Sequence, residues 1–377
     1  MPSRETNRVF AHSMLREIYE QPEAIRATVA PYVTDGRFNV EVFAPVARWM
    51  REHTGILIAA SGSSRHAGLA AEIMIEDLSG VAVDVEYASE YCYRSVNTLR
   101  NPAVAVVSQS GETADTLAAL REATGRRHGT LAITNVSDST MAREADASLP
   151  TGAGVEKAVP ATKSFTAQLA VLYLLAVFAG QEKGKLTAAQ IQEKLAALDA
   201  LPDSIAAQLP GWEISVREIA EHYHDASTFL FLGRGIHYAI AREGALKLKE
   251  SSYLHAEGYP TGELKHGPNA LVSPSVPLIV LATVARADPD SVLRYEKTLQ
   301  LLRDMKKQQA VVLAIANSGD IDVPAMVTDT IFVDATTEHL LPIMEVIPFQ
   351  LFAYFVAVAN GIDVDHPRNL TKAVVTE

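Results

Sequence analysis

The chain of 377 residues has a single cysteine, Cys92, so no internal disulfide framework exists and a reducing compartment fits. It also lacks a basic surplus. Lys and Arg total 33 against 45 Asp and Glu, a net charge of −12, with no Lys/Arg cluster to offset it. That balance excludes a nucleic-acid partner as the expectation. The start, Met1-Pro2-Ser3-Arg4-Glu5, has no apolar core of a signal peptide. The longest apolar run, Leu169 to Gly180, is too short to span a bilayer and reads as a buried helix. A soluble cytoplasmic protein without a membrane partner is expected. A complete dinucleotide fingerprint is missing too: Gly233-Arg234-Gly235 would need a third glycine where Tyr238 stands.

What is present is a globular composition, 48% hydrophobic and 21% charged, long enough for about two domains. The most informative stretch is Val104-Ala-Val-Val107 followed by Ser108-Gln109-Ser110-Gly111-Glu112-Thr113 and the helix formers Leu117 to Leu120. It reads as a buried strand, a tight loop and a helix start. Hydroxyls and free backbone N–H groups at the positive end of a helix suit an oxyanion such as phosphate, without Lys or Arg. The same residues also suit a plain helix N-cap.

Around this stretch, strands are expected at Ile56–Ala60, Val81–Val85, Val104–Val107, Gly129–Thr134 and Ala147–Leu149, with helices between them. Such alternation predicts an α/β fold with a parallel sheet covered on both faces and ligands beyond the carboxyl ends of its strands. Ser64, the 108–113 loop and Thr162-Lys163 all fall at that edge. After a charged, Ala-rich stretch with Pro202 and Pro210, the pattern returns. Thr228–Leu232 is a strand, Gly233-Arg234-Gly235 a turn, and Tyr238 to Lys249 a helix. Matching Gly62 to Gly233, His66 to His237 and Glu72 to Glu243 gives an internal repeat, hence a duplicated αβα unit. The counterpart of the phosphate loop, Ala282-Thr283-Val284-Ala285-Arg286, has lost the Ser-Gln-Ser-Gly character, so one site per chain is expected.

From Glu243 to Gly267 the chain is dense in ionisable groups. Glu243, Lys247 and Glu250 share one helix face by i, i+4 and i, i+3 spacing. A solvated salt-bridge stripe has this pattern; so does a carboxylate held beside a lysine to move a proton between neighbouring sugar carbons.

Five separated segments then carry a resemblance: Ser108–Thr116, Leu230–Gly235, Glu243–Glu250, Gly262–Pro268 and Asp365–Lys372. They resemble the sugar isomerase (SIS) family, and within it the isomerase half of glucosamine-6-phosphate synthases. The likeness runs from about His12 to Glu377. It implies two tandem flavodoxin-like SIS units: an arm over 1–45, a first domain over 46–184, a helical connector over 185–224, a second domain over 225–364 and an active-site tail over 365–377.

The resemblance also implies roles. Ser108, Gln109, Ser110 and Thr113 would bind the sugar phosphate, and Ser64 a substrate hydroxyl. Glu250 would shuttle the proton between C1 and C2. His266 would open the sugar ring, reaching it from the other subunit of a homodimer. Lys372 would form or steady an imine, and Lys247 would stabilise the enol-type intermediate. Glu243 and Arg368 would line the site, and no metal or organic cofactor is implied.

Two departures shape the functional expectation. Ala161 stands at a substrate-binding position where the synthases have a serine, and Glu156-Lys157-Ala158-Val159 looks more like SIS-type amino-sugar deaminases. If the chain is complete from Met1-Pro2, it is expected to lack the synthases' glutaminase domain and not to take nitrogen from glutamine. The expected function is therefore glucosamine-6-phosphate deaminase, giving fructose 6-phosphate and ammonia. The alternatives are the ammonia-dependent synthase reaction and a sugar-phosphate sensor without turnover.

Overall fold

The computed structural model describes residues 8–53, 55–94, 102–372 and 374. The start that argues against a signal peptide, residues 1–5, and part of the expected tail lie outside them. The arm comprises α1 (Ser13–Tyr19), α2 (Gln21–Val29), the strand pair β1 (Val33–Thr34) and β2 (Arg37–Phe38), and α3 (Val40–Glu52). Pro22 sits in the first turn of α2, where its missing N–H costs nothing, and the chain turns between the two helices at Glu20.

The first sheet holds β3 (Gly55–Ala60), β4 (Ala82–Tyr87), β5 (Ala103–Ser108), β6 (Thr130–Thr134) and β7 (Ala147–Pro150). Between them lie α4 (Gly62–Ser79), α5 (Ala88–Tyr91), α6 (Ala114–Gly125) and α7 (Thr140–Glu144), and α8 (Lys163–Glu182) follows. All its pairings are parallel, in the order β4-β3-β5-β6-β7. After α9 (Ala188–Tyr223), a second sheet repeats the plan with β8 (Thr228–Gly233), β9 (His255–Pro260), β10 (Leu278–Ala282), β11 (Val312–Asn317) and β12 (Asp329–Val333). Its helices are α10 (His237–Ser252), α11 (Pro289–Lys307) and α12 (Leu341–Ala359). Read from the other edge, its order β9-β8-β10-β11-β12 is the same doubly wound order.

Alternate strand residues face different cores, as a period of two requires. Ala103, Ala105 and Val107 of β5 join the largest core, and Val104 and Val106 join a separate cluster under α6. Ile279 and Leu281 of β10 face that same largest core, while Leu278 and Val280 pack toward α11. The inner faces of both sheets thus share one core, built around α4, α8, α9, α10 and α12.

Two expectations need correction. The repeat is real, but its register lies two residues from the motif match: Gly55 corresponds to Thr228, Ala60 to Gly233 and Ala82 to His255. Gly62 therefore corresponds to Gly235, and both take positive φ, 54° and 60°. The polar stretch after α10 contains an unforeseen strand, the parallel edge strand β9. The connector is one helix through Pro202 and Pro210, with a solvated face and a second face that buries Ile191, Leu195, Leu198, Ile205, Leu209 and Trp212. The run Leu169 to Gly180 lies inside α8, which, like Glu338–Ala359, is long and apolar enough to cross a membrane; each such stretch is 94% buried within the fold.

Candidate functional site

In a doubly wound sheet the crevice opens where the strand order reverses, here between the ends of β3 and β5. Ser61 to Ser64 and Ser108 to Thr113 leave the sheet at that point. The loop after β5 is folded by its own hydroxyls. Ser108 Oγ accepts the Gly111 N–H (3.1 Å) and meets Thr113 Oγ1 at 3.0 Å, and Ser110 Oγ accepts the Glu112 N–H (3.1 Å). Gly111 has φ 68°, and a Cβ there would come within 2.2 Å of Ser139 Oγ, so the turn admits glycine alone. Glu112 points away from the crevice: its carboxylate accepts the Thr140 N–H at 2.7 Å, which holds it below the usual carboxylate range. The loop presents hydroxyls, half-buried Gln109 and the amino end of α6, a set suited to an anion, and Val374 O accepts the Ala114 N–H there (3.0 Å).

From the other domain, α10 lays its charged face against the first turns of α4. Lys247 is fully buried. Its Nζ donates to Glu250 Oε2 (2.5 Å) and to Ser63 Oγ (3.1 Å), and lies 3.4 Å from Glu243 Oε1. Glu243, also fully buried, meets His66 Nδ1 at 2.8 Å. Burial alone would lower the Lys247 ammonium, but the charges of Glu250 and Glu243 outweigh it and hold the lysine protonated. Burial alone would raise Glu243, and the Lys247 charge with the His66 contact reverses that. The Glu250 side chain keeps 22% exposure, so of the two carboxylates it is the one open to a ligand. The solvated-stripe reading does not hold for this face.

The tail closes the site from a third direction. Asp365 accepts the N–H groups of Ser13 (2.7 Å) and Met14 (3.0 Å), capping α1. Lys372 Nζ then donates to Glu156 Oε2 (2.5 Å) and to Ala158 O (2.7 Å).

The structure thus brings Ser64, Glu243, Lys247 and Glu250 together, with Ser64 Oγ receiving the Gln168 amide at 3.0 Å. Ala161 is half-buried in the turn between Glu156 and α8. Lys163, expected at this edge, turns instead to Glu20 (2.6 Å), because the arm supplies a carboxylate there. Arg368 is exposed and lies over the Tyr253 ring at 4.2 Å, while its N–H bonds the Tyr253 hydroxyl (2.8 Å). His266, on the turn beyond β9, is exposed and forms no hydrogen bond with a described residue. Ser63, His66, Gln168 and Glu156 are site residues that motif reasoning passed over. His66 and Glu243 share a buried contact across two domains, which spacing along the chain does not reveal. Among the described residues no group of three or more His, Cys, Asp or Glu could hold a metal ion.

The second crevice is closed from within. Where the first sheet has Ser108-Gln109-Ser110-Gly111, the second has Ala282-Thr283-Val284-Ala285, whose N–H groups go to Asn317 Oδ1 (Val284, 2.6 Å) and Ser291 Oγ (Ala285, 2.8 Å). Buried His237 stands at ion-pair distance from Glu345 (2.8 Å) and Glu338 (3.3 Å), without hydrogen-bond geometry to either.

Comparison with known proteins matches this geometry. The SIS domain model matches residues 50–178 and 222–359. Glutamine–fructose-6-phosphate aminotransferase [isomerizing] of Symbiobacterium thermophilum is 43% identical over 371 residues, covering 98% of this chain and 59% of that protein. The enzyme of the same name from Caldanaerobacter subterraneus is 40% identical over 369 residues, with the same coverage of 98% and 59%. The chain therefore spans about three-fifths of the length of the curated relatives it matches. The C-terminal domain of glucosamine-fructose-6-phosphate aminotransferase from Francisella tularensis superposes with a TM-score of 0.88 at 35% identity, over 97% of this chain and 100% of that one. A glucosamine-6-phosphate deaminase from Thermotoga maritima shares the fold, at TM-score 0.70 and 22% identity over 96% of this chain and 99% of that one. With two SIS repeats in one doubly wound plan and relatives matching almost its full length, this chain belongs to the SIS family, in its glutamine–fructose-6-phosphate aminotransferase branch.

Proposed function

We propose that the chain interconverts a ketose 6-phosphate and a 2-amino aldose 6-phosphate, in the manner of the isomerase part of glucosamine-6-phosphate synthases. The observation that carries this reading is Glu250, a partly exposed carboxylate held 2.5 Å from the buried Lys247 ammonium on a helix facing the phosphate loop. The sugar phosphate binds at Ser108, Gln109, Ser110 and Thr113, with Ser64 on a hydroxyl. Glu250 takes the proton from one of the C1–C2 pair and returns it to the other. Lys247 steadies the negative charge that develops on oxygen, and Lys372 engages the C2 carbonyl.

The synthase-type reading is favoured over deamination, the first expectation from the sequence. Relatives at 40% and 43% identity carry the aminotransferase name, whereas the deaminase named among solved structures is 22% identical and speaks for fold alone. The proposal includes a cytoplasmic homodimer in which the exposed His266 serves the partner's site.

The test is a product assay in both directions. Fructose 6-phosphate with ammonium is expected to give glucosamine 6-phosphate, and glucosamine 6-phosphate alone some ammonia, because one set of intermediates serves both. Release without synthesis at any ammonium concentration would move the assignment to a deaminase. Tight binding of either sugar with no turnover in either direction would leave a sensor.

A further inference from the structure

We propose that Glu156 is the positioning residue of the C-terminal tail: its buried carboxylate fixes the Lys372 amine in place. Glu156 is 5% exposed and lies in the turn before α8, more than two hundred residues before the tail. Its Oε1 accepts the N–H groups of Thr162 (2.9 Å) and Ser164 (3.0 Å). Its Oε2 accepts the Ser164 hydroxyl (2.6 Å) and Lys372 Nζ (2.5 Å). Both oxygens are therefore oriented by the fold before the lysine arrives. Burial alone would push this carboxyl up; the Lys372 charge and the hydrogen bonds from Lys372 and Ser164 hold it down, as a permanent anion.

The other charged groups whose fields reach the pair are Glu17 and Lys247. Glu17 of α1 is already bonded to the N–H groups of Lys157 (2.5 Å) and Ala158 (3.2 Å), and Lys247 belongs to α10. Lys163 Nζ, from α8, is turned to Glu20 at 2.6 Å. Glu156 thus ties the tail to the first domain, and its field reaches Lys247 more weakly than those of Glu250 and Glu243. The functional meaning rests on the reading that Lys372 engages a carbonyl, for which its amine must be held toward the site. A carboxylate at 2.5 Å keeps the resting lysine aimed.

Reductive methylation with formaldehyde and cyanoborohydride, read at Lys372 by peptide mass spectrometry at one fixed pH, tests this without turnover. In Glu156→Gln the rate of Lys372 labelling is expected to rise about tenfold, because the amine loses the charge-assisted bond that holds it, with exposed Lys185 as an unmoved control. Glu156→Asp, which keeps the charge but draws it back by one methylene, is expected to fall between; if the Gln variant does not fold, the Asp variant carries the test alone. A Lys372 rate unchanged in the variants overturns the proposal, and so does an equal rise at Lys185. Because labelling needs no substrate, an inactive wild-type protein would sink the functional reading and leave this result standing.

Discussion

At the scale of the residue, the loop from Ser108 to Thr113, the proposed phosphate site, offers hydroxyls and N–H groups without a cation. Ser108 and Thr113 hold each other at 3.0 Å and Ser110 holds the Glu112 N–H, so the hydroxyls are oriented before any ligand arrives. Such preorganisation reduces the ordering cost of binding. Ser110→Ala or Thr113→Ala removes one hydrogen bond to a charged ligand, worth roughly 1.5–3 kcal/mol. KM for the sugar phosphate is expected to rise by about one to two decades while kcat changes little. Steady-state kinetics on both variants, with circular dichroism to confirm the fold, would show an unmoved KM if the loop lay outside the site. This loop was legible in the sequence because its chemistry is local: an apolar run, a glycine turn and a helix start lie next to one another. Glu156 was not, because what it does depends on Lys372 at the far end of the chain. Glu250 stood in between. Its spacing to Lys247 was readable, but only folding shows that Lys247 is buried and Glu250 is not.

At the scale of the element, α10 connects the two halves of the duplication. Its middle carries Glu243, Lys247 and Glu250, and its first residue, His237, anchors it between Glu345 and Glu338 in the filled second crevice. Burial alone would lower the His237 imidazole, but the carboxylates of Glu345 and Glu338 outweigh it and push it up to about 10. The linkage sign follows. A histidine raised above its ordinary value near 6.5 stabilises the fold fully below that pH, and loses the contribution as pH climbs toward about 10. Glu338 behaves oppositely. Held down to about 2 against its burial, chiefly by His237, it contributes at neutral pH and loses that contribution only in acid. His237→Gln is therefore expected to be less stable than wild type at pH 7, with the gap narrowing steadily toward pH 10. Urea midpoints measured at each pH check this, and a constant gap would show that His237 is not charged in the fold. The edge strand β9 also belongs to this scale, and its polar residues hid it. Only Ala256 of its six residues is buried, so the sequence has neither the apolar run nor the clean alternation that marks a strand. The repeat register failed for a related reason. Gly62, Gly233 and Gly235 offer more than one match on paper, and the strand register, with the positive φ of Gly62 and Gly235, decides between them.

At the scale of the whole molecule, two sheets with one strand order enclose a shared core, and among the described residues the loop of the second crevice is bonded from within. The duplicated partner has spent its loop N–H groups on Asn317 and Ser291, so it serves as scaffold for α10. His266 remains apart, exposed on the turn beyond β9, which fits the proposal that it completes a neighbouring subunit's site. Mixing an inactive Glu250→Gln chain with an inactive His266→Ala chain should then restore about a quarter of wild-type activity, because each mixed dimer carries one intact composite site. Mixed dimers that form, as native mass spectrometry would show, and remain inactive would contradict the shared site.

The central claim is that Glu250 moves a proton between neighbouring sugar carbons, and solvent exchange reads that step alone. Fructose 6-phosphate incubated with the wild-type chain in deuterated water should gain deuterium at C1, followed by NMR. Glu250→Gln should slow the exchange by about 10²–10⁴ while binding the sugar nearly as well, since the phosphate loop is untouched. Exchange at the wild-type rate in Glu250→Gln, or none in a wild-type chain that binds the sugar, would contradict the account.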